Sequence, residues 1–265
     1  PLAPISLSET HVDVLCFGNS TGNIDLSAVG GTQPYSYLWI NDSISQDLTD
    51  LFAGIYNVTV TDSLGCFDTL SVEVTEPSAP LSVVLNTIDV LCYGDFTGSV
   101  DATIAGGTAP YTYLWSNGEI TEDISNIPAG NYSIQVTDFH NCSFSVSTPI
   151  TEPSDSLLIE LTSFDADCFG ASTGSILGSV SGGTAPYDYL WSNSEITDDI
   201  SNLNSGGYSL TVTDDNNCVA SLSDTVKQPD GVILSHIQTD ILCFGDSTGS
   251  IDLNVQGGVS PYAYV

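Results

Sequence analysis

Positive charge is almost absent from this chain. Lys227 is the one basic residue among Lys and Arg in 265 positions, against 33 aspartates and glutamates, and the formal net charge is −32. Without cations to neutralise phosphate, nucleic acid and anionic membrane surfaces are excluded as partners. No apolar run approaches the ~18 residues of a membrane-spanning helix, and no hydrophobic period of 3.6 is sustained. Histidine is scarce: His11, His140 and His236 are the only three, and His140, in the turn "TDFHNC", reads as a solvated loop residue. No G-x-S-x-G, H-E-x-x-H, phosphate-loop or dinucleotide fingerprint occurs. Carboxylates this abundant single out no acid–base pair. The sequence predicts no enzyme active site and no cofactor.

What the chain does have is repetition. "GGTQPYSYLW" begins at Gly30, "GGTAPYTYLW" at Gly106, "GGTAPYDYLW" at Gly182 and "GGVSPYAYV" at Gly257. Trp39, Trp115 and Trp191 are 76 residues apart, as are Cys16, Cys92 and Cys168, and Cys66, Cys142 and Cys218; Cys243 follows Cys168 by 75. Pro1, Pro77, Pro153 and Pro229 keep the same clock. The expected units are therefore 1–77, with Pro1 closing a preceding repeat, 78–153, 154–229 and an incomplete 230–265, a window on a longer array.

Each unit reads as β structure. "YSIQVTD" from Tyr132 alternates with period two, and "GSVDATIAGG" places Val100, Ala102 and Ile104 on one face. Strands are predicted in the second unit at 81–87, 99–105, 111–116, 121–125, 130–138 and 143–150, separated by Gly, Asn and Asp turn chemistry. Six or seven short strands argue for tandem immunoglobulin-like antiparallel β-sandwiches. Tyr111, Tyr113 and Trp115 share a face, and the order Cys, Trp, Cys is one that immunoglobulin domains use. Trp39, Trp115 and Trp191, with Tyr56, Tyr132 and Tyr208, are expected core aromatics, the tryptophans packed against a disulfide.

Two cysteines per unit, always 50 apart, read as one disulfide within each unit: Cys16–Cys66, Cys92–Cys142 and Cys168–Cys218, with Cys243 unpaired. Such bridges imply an oxidising, extracellular setting. They would also leave only about 26 residues of each unit, roughly 90 Å, free to pay out under tension. Short linkers near Glu76–Pro80, Glu152–Asp155 and Gln228–Gly231 predict a rod rather than a ball. Residues 230–265, lacking the tryptophan, second cysteine and last strands, are not expected to fold alone. Calcium is the one metal to weigh, at Asp95 and Asp101 in "GDFTGSVD" and Asp246 and Asp252 in "GDSTGSID". The third unit writes "GASTGSIL" at this place, with Ala171 and Leu177, which favours plain turn residues.

"C-F/Y-G-x-S/F-T-G-S-I/V", "GGTxPYxYLWSN", "AGxYxVxVTDxxxC" and "xITEP", taken together, resemble the SprB repeat of Bacteroidota cell-surface adhesins. The resemblance covers the three full units and the start of the fourth. It implies a very large surface protein exported by type IX secretion and moved along the cell during gliding, attached at the outer membrane. Its implied partners are surface or glycan ligands and the gliding and secretion machinery. The matching positions, Cys92, Cys142, Gly106, Gly107, Pro110, Trp115 and Tyr132, carry structural rather than catalytic roles. The first expectation is thus an adhesin stalk that multiplies weak contacts by repetition. Inert spacer repeats in a secreted glycan-degrading enzyme, or a filament or surface-coat component, are the alternatives.

Overall fold

The computed structural model describes residues 3–265. Among the described residues every regular element is a β-strand. The first 76-residue interval supplies β1 (Ser6–Val12), β2 (Gly22–Val29), β3 (Ser36–Trp39), β4 (Leu48–Leu51), β5 (Gly54–Thr61) and β6 (Phe67–Val74). The second supplies β7 (Ser82–Ile88), β8 (Gly98–Ala105), β9 (Thr112–Trp115), β10 (Ile124–Ile127), β11 (Gly130–Thr137) and β12 (Ser143–Ile150). The third supplies β13 (Leu158–Phe164), β14 (Gly174–Ser181), β15 (Tyr187–Trp191), β16 (Ile200–Leu203), β17 (Gly206–Asp214) and β18 (Val219–Val226). A final hairpin pairs β19 (Ile233–Thr239) with β20 (Ser250–Gln256).

Each complete interval builds two three-stranded antiparallel sheets, β1-β2-β4 and β3-β5-β6 in the first, with the same order in the others. In immunoglobulin lettering these are A-B-E and C-F-G, a sandwich without strand D. Alternation decides which residues enter the core. On β11, Tyr132, Ile134 and Val136 are buried while Ser133 and Gln135 face out. Trp39 packs among Ile24, Leu26, Val58, Val60, Val72 and Val74, and Trp191 among Ile176, Leu210, Val212 and Val226. No cysteine belongs to either cluster, so the expected packing of tryptophan on a disulfide is corrected: aliphatic side chains fill that place. The indole N–H of each tryptophan donates to a carbonyl six residues on, at Ser45, Thr121 and Thr197, each at 2.9 Å. That bond lets the polar edge of a buried indole be satisfied. Tyr56, Tyr132 and Tyr208 close the bend before strand F, their hydroxyls donating to the carbonyls of Phe52, Pro128 and Asn204. A tyrosine corner of this kind is a feature of immunoglobulin-like sandwiches.

The repeated "GG-x-x-PY" stretch is a turn set against the chain that enters the same repeat. Gly106 has a φ of +71°, and a Cβ there would stand 2.0 Å from the Pro80 carbonyl oxygen, so only glycine fits. The Tyr111 hydroxyl then donates to the Gly106 carbonyl at 2.7 Å, folding the stretch back on itself. Pro34, Pro110, Pro186 and Pro261 each follow a cis peptide bond.

By contact density the chain forms two compact units. One comprises the described residues up to Asp89 together with Thr97–Ile150; the other comprises Val90–Phe96 together with Thr151–Val265. Seven residues of the second repeat therefore pack with the third, and the reason lies in the cysteine they carry.

Candidate functional site

The sequence pairs cysteines within each repeat; the structure corrects this. Cys16 bonds to Cys142 and Cys92 bonds to Cys218, each across 126 residues with Cα atoms 5.7 Å apart. Cys66, Cys168 and Cys243 are exposed free thiols. The expected Cys16–Cys66, Cys92–Cys142 and Cys168–Cys218 bridges are absent because the two cysteines of a repeat lie at opposite ends of its sandwich. Cys16 follows the end of β1, where Val12 pairs with Asn23 at the start of β2. Cys66 lies in the β5–β6 turn, whose Asp62 carboxylate receives the Thr32 N–H just beyond the other end of β2. Eight residues of β2 span about 25 Å, whereas a disulfide needs Cα atoms within ~7 Å. The first cysteine of one repeat meets instead the second cysteine of the next.

Both halves of this joint are held rigidly by hydrogen bonds. The loop after β1 is tied to the end of its own repeat: the Val14 N–H donates to the Thr75 carbonyl at 2.9 Å and the Gly18 N–H to Glu76 Oε2 at 2.6 Å. Asp13 Oδ1 accepts the Thr75 N–H at 2.7 Å, and that bond holds the Asp13 carboxyl below its ordinary pKa. The loop around Cys92 repeats the scheme, with Val90 donating to the Thr151 carbonyl and Gly94 to Glu152 Oε2. The Glu-Pro pairs at the repeat boundaries thus anchor the cysteine loop. In the third repeat Gln228 Oε1 accepts from Gly170 N–H at 2.8 Å.

The other half is the "TDxxxC" turn, organised by a buried aspartate. Asp138 Oδ1 accepts the N–H groups of His140 and Cys142, and Oδ2 accepts that of Thr108, all at 2.9 Å. Asp62 and Asp214 are bound in the same way. One carboxylate therefore fixes the cysteine turn and the Gly-Gly turn together. In a chain with 33 acids these three were not distinguishable by type; their signal was the fixed register four residues before the second cysteine. Around Asp62 the Thr32 N–H above all, with those of Cys66 and Leu64, lowers the carboxyl pKa against the opposing effect of burial. The folded value thus lies below the unfolded value of about 3.9. The ionised carboxylate stabilises the fold above about pH 4, and the contribution is lost as pH falls through the folded value. Asp62→Asn should lower the melting temperature at neutral pH and flatten its decline below pH 4. Parallel acid limbs for the two proteins, in thermal melts from pH 2 to 7, would contradict this.

His140 is half-buried rather than solvated as expected, and its Nδ1 is enclosed with no hydrogen-bond partner. Asn216, its counterpart in the third repeat, donates from Nδ2 to the Leu91 carbonyl and to Thr184 Oγ1 at the second joint. The calcium candidates are turn and strand residues. Asp95 and Asp246 lie in the cysteine loops, their N–H groups donating to the carbonyls of Cys92 and Cys243. Asp101 stands exposed on β8 opposite Asn86, and Asp252 exposed on β20 opposite Ile237. Among the described residues no three His, Cys, Asp or Glu side chains are grouped as metal ligands.

The SprB repeat family matches this chain at residues 8–43, 84–119, 161–195 and 235–265, more than half its length. The chain belongs to the SprB repeat family. Each of the first three SprB matches runs from strand A to just beyond the tryptophan of strand C, so it contains the first cysteine of a repeat and not the second. No curated protein matches the chain. Among solved structures, extracellular domains 3–5 of Drosophila OTK are 11% identical, with 74% of this chain and 86% of that one covered and a TM-score of 0.32. Domains 4–9 of the surface layer protein SbsC are 13% identical, covering 89% and 49%, at a TM-score of 0.26. A tetra-tandem repeat from the extending region of a large adhesion protein is 15% identical, covering 96% and 87%, at 0.24. Likenesses this distant carry no argument about what the chain does.

Proposed function

We propose that this chain is a stretch of the stalk of a very large secreted cell-surface adhesin of the gliding-motility type. The SprB family match, repeated four times along the chain, carries this reading. The stalk is extracellular, held at the outer membrane, and serves binding rather than catalysis. Its modules are the intervals 1–77, 78–153, 154–229 and the start of a fourth at 230–265. Covalent joints support the same reading, because a tether between a cell and its substratum carries load from module to module. The acidic surface keeps neighbouring stalks apart by mutual repulsion. Surface glycans or proteins are the ligands, engaged weakly and many at a time. Antibodies raised against this chain should stain intact cells of the source organism and reduce their adhesion to glass. Staining that requires permeabilised cells would overturn the reading.

A further inference from the structure

The third joint is described on one side, and that side has a defined shape. The loop around Cys168 is anchored as the other two are: Ala166 N–H donates to the Lys227 carbonyl at 2.9 Å, and Gly170 N–H to Gln228 Oε1. The Phe169 ring lies over Gly231, and together with Cys168, Pro229, Val232 and Gly258 lines a cavity of about 490 Å³. At the second joint the corresponding cavity, beside Cys92 and Tyr93, is walled by Asn217, Cys218 and Val219 of the cysteine turn. At the third, no second-cysteine turn lies among the described residues.

Continuous with this seat is an uncovered sheet. Ile176 is 0% exposed beneath Trp191 and Leu210, whereas its counterpart Ile251 is 71% exposed. Ile159 is 7% exposed and its counterpart Leu234 is 63%. In the complete repeats a C-F-G sheet covers these positions. Large apolar side chains side by side on one sheet call for a partner.

We propose that the surface from Cys168 to Val265 is a seat for the C-F-G half of an SprB-type repeat, and that Cys168, not Cys243, fixes the occupant covalently. The apolar face of β19 and β20 takes the aromatic and aliphatic face of the occupant. Its cysteine turn fills the cavity beside Phe169 and brings a thiol to Cys168. Cys243 stands at the far end of the same hairpin, beyond β19, as Cys92 and Cys16 do in their repeats. Bond formation needs an oxidant, and glutathione disulfide serves. Two protein thiols lose their protons and two electrons to it, giving one protein disulfide and two molecules of glutathione. The inference rests on the joint geometry and holds whether or not the array is an adhesin.

The test appends residues 191–229 again after Val265, where the register of the shortened fourth repeat continues with tryptophan. The protein is refolded in a glutathione buffer, free thiols are alkylated, and disulfides are mapped by mass spectrometry without reduction. Cys168 should be bonded to the second copy of Cys218, with Cys66 and Cys243 alkylated. Amide exchange in β19 and β20 should slow by on the order of a hundredfold. A parallel chain with serine at the appended cysteine should keep most of that protection, since the apolar face alone seats the half-sandwich. A bond from Cys243 to the appended cysteine, a Cys168 that stays alkylated, or unchanged exchange in both chains would each overturn the proposal.

Discussion

Replacing Cys142 with serine should lower the unfolding free energy of the first compact unit by about 3–5 kcal/mol, and replacing Cys66 by less than about 0.5 kcal/mol. The difference follows from which cysteine is bonded. The Cys16–Cys142 bridge closes a loop of 126 residues, for which the chain-entropy model gives about 5 kcal/mol, the upper end of what disulfides contribute. Cys66 is an exposed thiol in a turn already fixed by Asp62, so serine there removes nothing the fold relies on. A pairing within each repeat would have made the Cys66 change as damaging as the Cys142 change. Urea unfolding followed by tryptophan fluorescence measures both variants on one scale. Equal losses would contradict the observed pairing.

Pulled by its two ends, the oxidised chain should yield a first-repeat step of about 50 Å, and the reduced chain one of about 260 Å. When the first repeat gives way, load enters at the N-terminus and reaches Cys16, then crosses to Cys142 in the still-folded second repeat. Only the roughly 16 residues ahead of Cys16 straighten, at ~3.4 Å each. The rest of the repeat goes slack, so its strands are spared and re-form as soon as β1 returns. Without the bridge all of the ~76 residues pay out. A bridge inside the repeat would have given the ~90 Å expected from the spacing of 50. Force spectroscopy with and without reductant separates these lengths. A step unchanged by reductant would contradict the shielding.

Most of the architecture was legible because alternation and turn chemistry are local. In the second repeat the strands predicted at 81–87, 99–105, 130–138 and 143–150 fall within a residue or so of β7, β8, β11 and β12. The strand predicted at 121–125 lies instead at Ile124–Ile127. Trp115 holds the intervening loop, its backbone N–H on the Glu119 carbonyl and its indole N–H on that of Thr121, and a single indole bond leaves no trace in a hydrophobic pattern. The covalent framework was not legible from spacing alone. Fifty residues between Cys16 and Cys66 is a comfortable loop in sequence, and nothing in that count says that β2 carries the chain from one end of the sandwich to the other. The clue available was position: both cysteines of each repeat fall in turn-rich stretches, "LCFG" and "SLGC", whereas a bridge through a sandwich core joins residues within facing strands. Asp138 escaped for a similar reason. Its register was visible, but its role depends on the Thr108 N–H, thirty residues away.

Cutting the chain between two repeats tests the central claim most directly. A protease site inserted between Pro77 and Ser78, where β6 has ended and β7 has not begun, can be cleaved in the native protein and the product weighed without reductant. The Cys16–Cys142 bridge predicts that both pieces stay together as one covalent species and part only when reductant is added. Two fragments separating without reductant would show that the joint between repeats does not exist.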